Sequence, residues 1–164
     1  MRILIVLLLI PILSFSQKIV SDKVSPISGK RQVVTSLESV FQMSAIQVSA
    51  SADITNIDSS FLLSFFYSTL NISTDKKEDT TTKHCTILLL SGLKVNGKYQ
   101  QTISVSGYTI ISYSFKFEDF KILAKEDAKA FMVSTPKIEN AEYELKGKYS
   151  KTIQKVVSLI IKKI

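Results

Sequence analysis

"FLLSFFYSTLNI", residues Phe61 to Ile72, decides the fold class, because its apolar residues admit two readings. Ser64, Ser68 and Asn71 are spaced through it as the polar stripe of a helix would be. The composition favours a strand. Phe61, Phe65, Phe66, Tyr67, Thr69 and Ile72 are aromatic or β-branched, and such side chains suit a pleated, half-buried surface. A little further along the chain, Asp75-Lys76-Lys77-Glu78-Asp79-Thr80-Thr81-Thr82-Lys83 contains no apolar residue. It reads as a solvated loop between two antiparallel strands, with ligand contact as its alternative role.

The same texture extends outward in both directions. Upstream, within Phe41 to Asp53, Ile46, Val48, Ala50 and Ala52 alternate with Gln47, Ser49, Ser51 and Asp53, which is a half-buried strand. Gln32 to Ser36 reads as another, after an extended lead-in from Gln17 to Pro26 and a turn at Pro26 and Gly29. Downstream, His84-Cys85-Thr86-Ile87-Leu88-Leu89-Leu90 is nearly continuously apolar, so it is expected to be central in its sheet, with Cys85, Ile87 and Leu89 on one face. Asn96-Gly97 predicts a hairpin turn between Val95 and Lys98.

Tyr99 to Val105 and Tyr108 to Phe117 then read as strands around Ser106-Gly107, with Tyr113, Phe115 and Phe117 on one face. Short strands are expected at Phe120 to Leu123 and Ala130 to Ser134, flanking the Lys125-Glu126-Asp127 turn, with Pro136 closing the second. Glu139 to Lys146 adds one more, with Tyr143 and Leu145 facing in and Glu142, Glu144 and Lys146 facing out.

Ser150 is placed to cap a C-terminal helix whose Ile153, Val157, Ile160 and Ile164 form one stripe, flanked by Val156 and Ile161. With Lys148, Lys151, Lys155, Lys162 and Lys163 beside it, that stripe also describes a helix lying on anionic lipid. Its β-branched face, without Trp or Phe, favours packing against a sheet. The expected fold is therefore mainly β: an antiparallel sandwich or partly closed barrel of about seven to nine strands with one C-terminal α-helix.

At the other end, Arg2, the apolar run Ile3 to Leu13 broken by Pro11, and the small residues Ser14 and Ser16 around Phe15 have the layout of a secretory signal peptide. The run is too short for a spanning helix, which needs about 20 apolar residues. Cleavage is expected before Gln17, giving a signal peptide at 1–16 and one β-rich domain at 17–164, with no transmembrane span after cleavage. The formal charge of +7 falls by one with Arg2, leaving Arg31 as the sole arginine.

A basic surface favours anionic partners. The lysines are scattered among acids, however, except from Lys146 to Lys163, so the charge reads mainly as a solubility feature and nucleic acid is not an expected partner. Cys85 is the only cysteine, which excludes an internal disulfide and a lipidated mature N-terminus, and a buried, inert thiol is the expected state.

The chemistry is sparse. His84 is the only histidine, and although it adjoins Cys85, neighbours in a strand point to opposite faces and cannot form a dyad. One histidine and one cysteine are too few for a zinc site of those ligands. Glu118-Asp119, Glu126-Asp127, and Glu142 with Glu144 are the carboxylate pairs from which a glycosidase could be built. The chain has no Trp to stack a sugar, no Asp-rich calcium loop, no Walker A loop and no G-x-G-x-x-G. Asn71-Ile72-Ser73 matches a glycosylation sequon, which carries little weight behind a bacterial type of signal peptide. No catalytic, cofactor-binding or metal-binding residue is assigned, and no cofactor is implied.

Ser25-Pro26-Ile27-Ser28-Gly29-Lys30, then Thr35-Ser36 and Glu38, with Ile87 to Gly92 and Tyr108 to Leu123 later, resembles a group of short secreted proteins of Bacteroidota bacteria. Ser25 and Leu37 depart from the acidic and aromatic residues usual there. The resemblance implies export and a β-rich domain and transfers no catalytic residue. The β-rich fold, a common recognition scaffold, and the sparse polar chemistry leave two functional expectations. The first is an exported, non-enzymatic binding or structural module of the bacterial envelope, secreted or periplasmic, whose envelope or extracellular ligand is left open, an anion among the candidates. The alternative is a small hydrolase of envelope or extracellular polymer using a carboxylate pair. Ligand identity and oligomeric state are left open by the sequence.

Overall fold

The computed structural model describes residues 17–26, 28–40, 46–55, 59–68, 83–105, 107–135 and 141–164. Among them ten antiparallel strands form one sheet: β1 (Ile19–Val24), β2 (Arg31–Thr35), β3 (Glu38–Ser39), β4 (Ile46–Ile54), β5 (Ser59–Ser68), β6 (His84–Leu89), β7 (Lys94–Val105), β8 (Tyr108–Phe115), β9 (Ala128–Val133) and β10 (Ala141–Glu144). Two α-helices accompany it, α1 (Phe117–Leu123) and the C-terminal α2 (Ser150–Ile161). The expected mainly β antiparallel fold with a C-terminal helix is the fold observed. The expected loop at Asp75 to Lys83 lies, apart from Lys83, outside the described residues.

Phe61 to Ser68 is strand. Phe61, Leu63, Phe65 and Tyr67 are buried while the residues between them are half-buried, because β4 pairs along one edge and β8 along the other. The spatial order is β1-β2-β4-β5-β8-β7-β6-β9-β10, with β3 paired to β4. The chain therefore passes from β5 to β6, beyond the places of β8 and β7, returns through β7 and β8 to β5, and makes a Greek key.

Phe65 on β5 and Phe131 on β9 are four places apart in that order, roughly 19 Å in a flat sheet at about 4.8 Å per strand. Their rings nevertheless stack at 4.8 Å, and Tyr67 of β5 lies 6.2 Å from Tyr143 of β10. The sheet must curl until its two halves face each other, which leaves an open, unclosed barrel. Helix α2 fills the open side, touching β2, β3, β4, β9 and α1.

Several local expectations are corrected. The lead-in from Gln17 is itself a paired edge strand, β1, joined to β2 by a turn in which Gly29 takes a left-handed φ of 66°. Asn96-Gly97 is no turn: it lies inside β7, opposite Thr86 and Cys85, and the β6–β7 turn falls at Leu90 to Leu93, where Gly92 has φ 88°. Phe120 to Leu123 is helix rather than strand, since Phe120 and Leu123, three apart, are the buried pair and Glu118 reaches Lys121 at 2.7 Å one turn on. Phe117 consequently leaves the face of Tyr113 and Phe115 and stacks on Phe61 at 5.0 Å.

Ser150 does not cap α2. A 3-10 turn at Gly147–Tyr149 precedes it, and the Ser150 hydroxyl donates back to the Gly147 carbonyl at 2.9 Å. Ile153, Val156, Val157 and Ile160 are fully buried as expected, but the helix ends at Ile161 and Ile164 is exposed.

Candidate functional site

The interior is apolar among the described residues. It is filled by Phe65, Phe131, Tyr113, Leu63, Ile87, Leu89, Phe120 and their aliphatic neighbours, and its buried polar residues, Thr35, Ser49, Ser112, Thr135 and Thr152, are all neutral. The carboxylate pairs sit apart on the surface. Glu118 and Asp119 occupy the first turn of α1. Glu126 accepts hydrogen bonds from the Ser91 backbone N–H and hydroxyl, which pins the β6–β7 turn, while Glu142 and Glu144 stand on the exposed face of the edge strand β10. Among the described residues no group of three or more His, Cys, Asp or Glu side chains gathers at one place.

Cys85 is buried on the face of Ile87 and Leu89, as alternation requires, and burial pushes its thiol pKa up, so the reactive thiolate is disfavoured. Burial likewise raises the pKa of the Tyr67, Tyr113 and Tyr143 hydroxyls, whose rings line the same interior. The Tyr113 hydroxyl donates to the Ser134 carbonyl at 3.1 Å and ties β8 to the end of β9.

Chemistry gathers instead where β6 begins. Antiparallel pairing sets His84 opposite Lys98 and Thr86 opposite Asn96, so these four share a face, while Cys85 and Gly97 share the other. Around them lies an open depression of about 510 Å³ lined by Lys83, His84, Asn96, Gly97, Lys98 and Tyr99. The Lys83 ammonium sits 5.7 Å from the centroid of the Tyr99 ring, which holds the charge in place without neutralising it. Asn96 accepts from the Thr86 hydroxyl at 2.8 Å, and its amide nitrogen remains a donor.

Among the described residues the lining contains two lysines, a histidine and an asparagine and no carboxylate, a set that can bind an anion. The composition points toward anions without singling out these lysines: Lys83 and Lys98 look scattered along the chain and meet only through the β6–β7 register. His84 does stand out in the sequence, as the sole histidine, and it lines the depression.

No family model, curated protein or solved structure matches this chain.

Proposed function

We propose that the protein is an exported, non-enzymatic binding module of the bacterial envelope that takes an anionic ligand at the β6–β7 depression. The observation that carries this reading is the lining itself, which brings Lys83, His84, Asn96 and Lys98 together with no carboxylate among the described residues around them. The hydrolase alternative would need two carboxylates facing one cleft, and the acidic pairs instead serve a helix turn, a hairpin turn and an edge strand. Export is supported by Arg2, the apolar run Ile3 to Leu13 and the small residues Ser14 and Ser16. A secreted or periplasmic site accords with that layout.

The test has two parts. Mass spectrometry of protein recovered outside the cytoplasm should give Gln17 as the first residue. Binding to dextran sulfate and to phosphatidylglycerol vesicles, measured separately, distinguishes polymer from lipid as the source of the anion. The pair Lys83→Glu and Lys98→Glu should weaken the binding by about tenfold, about 1.4 kcal/mol. Binding that the pair leaves unchanged would locate the ligand elsewhere, for instance along the lysines of α2, and would refute the site.

A further inference from the structure

Helix α2 carries its charge along one line. From Leu145 to Ile164 the chain has six lysines and no acid. Lys146 pairs with Glu144 at 3.0 Å, and Lys163 stands within electrostatic reach of Asp22 on β1. The other four, Lys148, Lys151, Lys155 and Lys162, are exposed and have no carboxylate partner among the described residues. At about 100° per residue Lys151, Lys155 and Lys162 fall within about 40° of one another, and at about 1.5 Å per residue they span about 16 Å. Lys148 extends the row by a turn, with its ammonium 5.3 Å from the centroid of the Tyr149 ring.

This placement works against the helix. Lys148 and Lys151 lie at the N-terminal end, where the aligned peptide dipoles repel cations and the first turn holds no acid. Lys151 and Lys155 are like charges four residues apart on one face, which also destabilises a helix. Only Lys162 lies at the end that favours it. Natural proteins break local rules of this kind mainly where function repays the loss.

We infer that the exposed face of α2 is a docking surface for a linear anionic polysaccharide, which lies along the helix axis with its sulfate or carboxylate groups on Lys148, Lys151, Lys155 and Lys162. Charge complementarity carries the choice of an anionic partner, and the rest of the face narrows it. The exposed residues of α2 itself are Lys151 and Lys155 alone, so the helix offers no exposed apolar side chain to insert among lipid tails as an interfacial helix does. The row has no arginine, and its aromatic neighbour Tyr149 already lies against Lys148, so nucleic-acid bases find no stacking platform. Compact ammonium groups on flexible stems, set along a line, suit a chain of repeated charges. The surface is distinct from the β6–β7 depression, because α2 packs on β2, β3, β4, β9 and α1, none of which lines it. The depression takes one anionic group, whereas the row takes a chain of them.

Heparin fragments of increasing length test the row on the whole chain, purified as an exporting host processes it. At fixed salt the affinity should rise with length as a fragment comes to span the lysines. Lys148→Gln, Lys151→Gln, Lys155→Gln and Lys162→Gln together should lower the affinity for long fragments by about tenfold or more, with the melting temperature unchanged or higher. Inorganic sulfate, a single anion, should bind this variant as it binds the wild type. Lys94→Gln, Lys116→Gln, Lys125→Gln and Lys129→Gln together remove the same charge elsewhere and should cost less than about threefold. A row variant that keeps its affinity overturns the inference, whatever the pair Lys83→Glu and Lys98→Glu does. Loss in the row variant with none in that pair supports the inference and refutes the depression alone. A control that loses as much as the row overturns it, because net charge is then the cause, and so does equal wild-type affinity for phosphatidylglycerol vesicles or duplex DNA. If the glutamines lower the melting temperature, arginine at the same four positions decides, and a folded arginine variant that fails to bind refutes the surface.

Discussion

Gly97 shows how one residue type can serve two different purposes. Following Asn96, it has the sequence of a tight hairpin turn, where glycine is wanted for a positive φ. In the fold it is a buried strand residue whose missing side chain makes room for an aromatic ring: a Cβ there would lie 2.6 Å from Cε2 and 2.8 Å from Cε1 of Phe115. Phe115 is 6% exposed and packs against Phe120, so the ring has little freedom to withdraw. Gly97→Ala should therefore destabilise the protein by about 1 to 3 kcal/mol, as overpacking does. Asn96→Ala, in its exposed contact with Thr86, should change stability by no more than about 0.5 kcal/mol. Thermal melts followed by circular dichroism check both. A hairpin turn at this place would give a comparable loss at Asn96, and that result would contradict the geometry. Nothing in the local sequence separates the two uses of Asn-Gly, because the ring that needs the space comes from β8. Cys85 is the opposite case, since its burial follows from alternation with Ile87 and Leu89 alone.

At the level of elements, both helices carry their period in the sequence, but only one is conspicuous. Helix α2 has a stripe of β-branched residues over three turns, and Ile153, Val156, Val157 and Ile160 are each at most 1% exposed. That face is taken up by the sheet and by α1, with Thr152 donating to the Ser39 carbonyl at 3.2 Å and Gln154 to the Ala124 carbonyl at 3.1 Å, so it is unavailable to lie on lipid. Each of the four aliphatic side chains contributes roughly 1.5 to 3 kcal/mol by burial, against the roughly 5 to 15 kcal/mol that hold a typical domain together. Truncation after Lys148 should yield an unfolded or aggregating chain by circular dichroism and light scattering. A truncated protein that kept the native melting temperature would show the helix to be dispensable. Helix α1 escapes a reading by alternation because it is short and comes directly after β8, although the spacing of Phe120 and Leu123 and the acids of its first turn are helical features.

For the molecule as a whole, the curled sheet stores its polar rings in an apolar interior, and this has a consequence for pH. Burial raises the Cys85 thiol above its ordinary 9.0 and the Tyr67 and Tyr113 hydroxyls above their ordinary 10.0. As pH climbs, the unfolded chain releases these protons first while the folded chain retains them, so the unfolded state binds fewer protons and stability falls. The melting temperature should therefore decline from about pH 9 upward, steepening through the tyrosine range near pH 10. Cys85→Ala should remove the earlier part of the decline. A melting temperature that stayed level through that interval would mean these groups are solvated in the folded protein.

Sequence alone settled the fold class, the buried faces of β4 and β6 and the apolar stripe of α2, because periods of two and of three to four residues are local and need no knowledge of what lies opposite; the buried face of β5 appeared only in the fold. Sequence also determined the scarcity of catalytic side chains, which is a matter of composition. Tertiary structure alone decided the rest. The order of strands depends on which edges pair across long separations, and the curl appears only in contacts such as Phe65 with Phe131. The basic depression exists because the β6–β7 register sets His84 against Lys98, with Lys83 alongside. Each depends on the relative position of two segments, and that position is set by hydrogen-bond register and packing rather than by the residues of either segment alone.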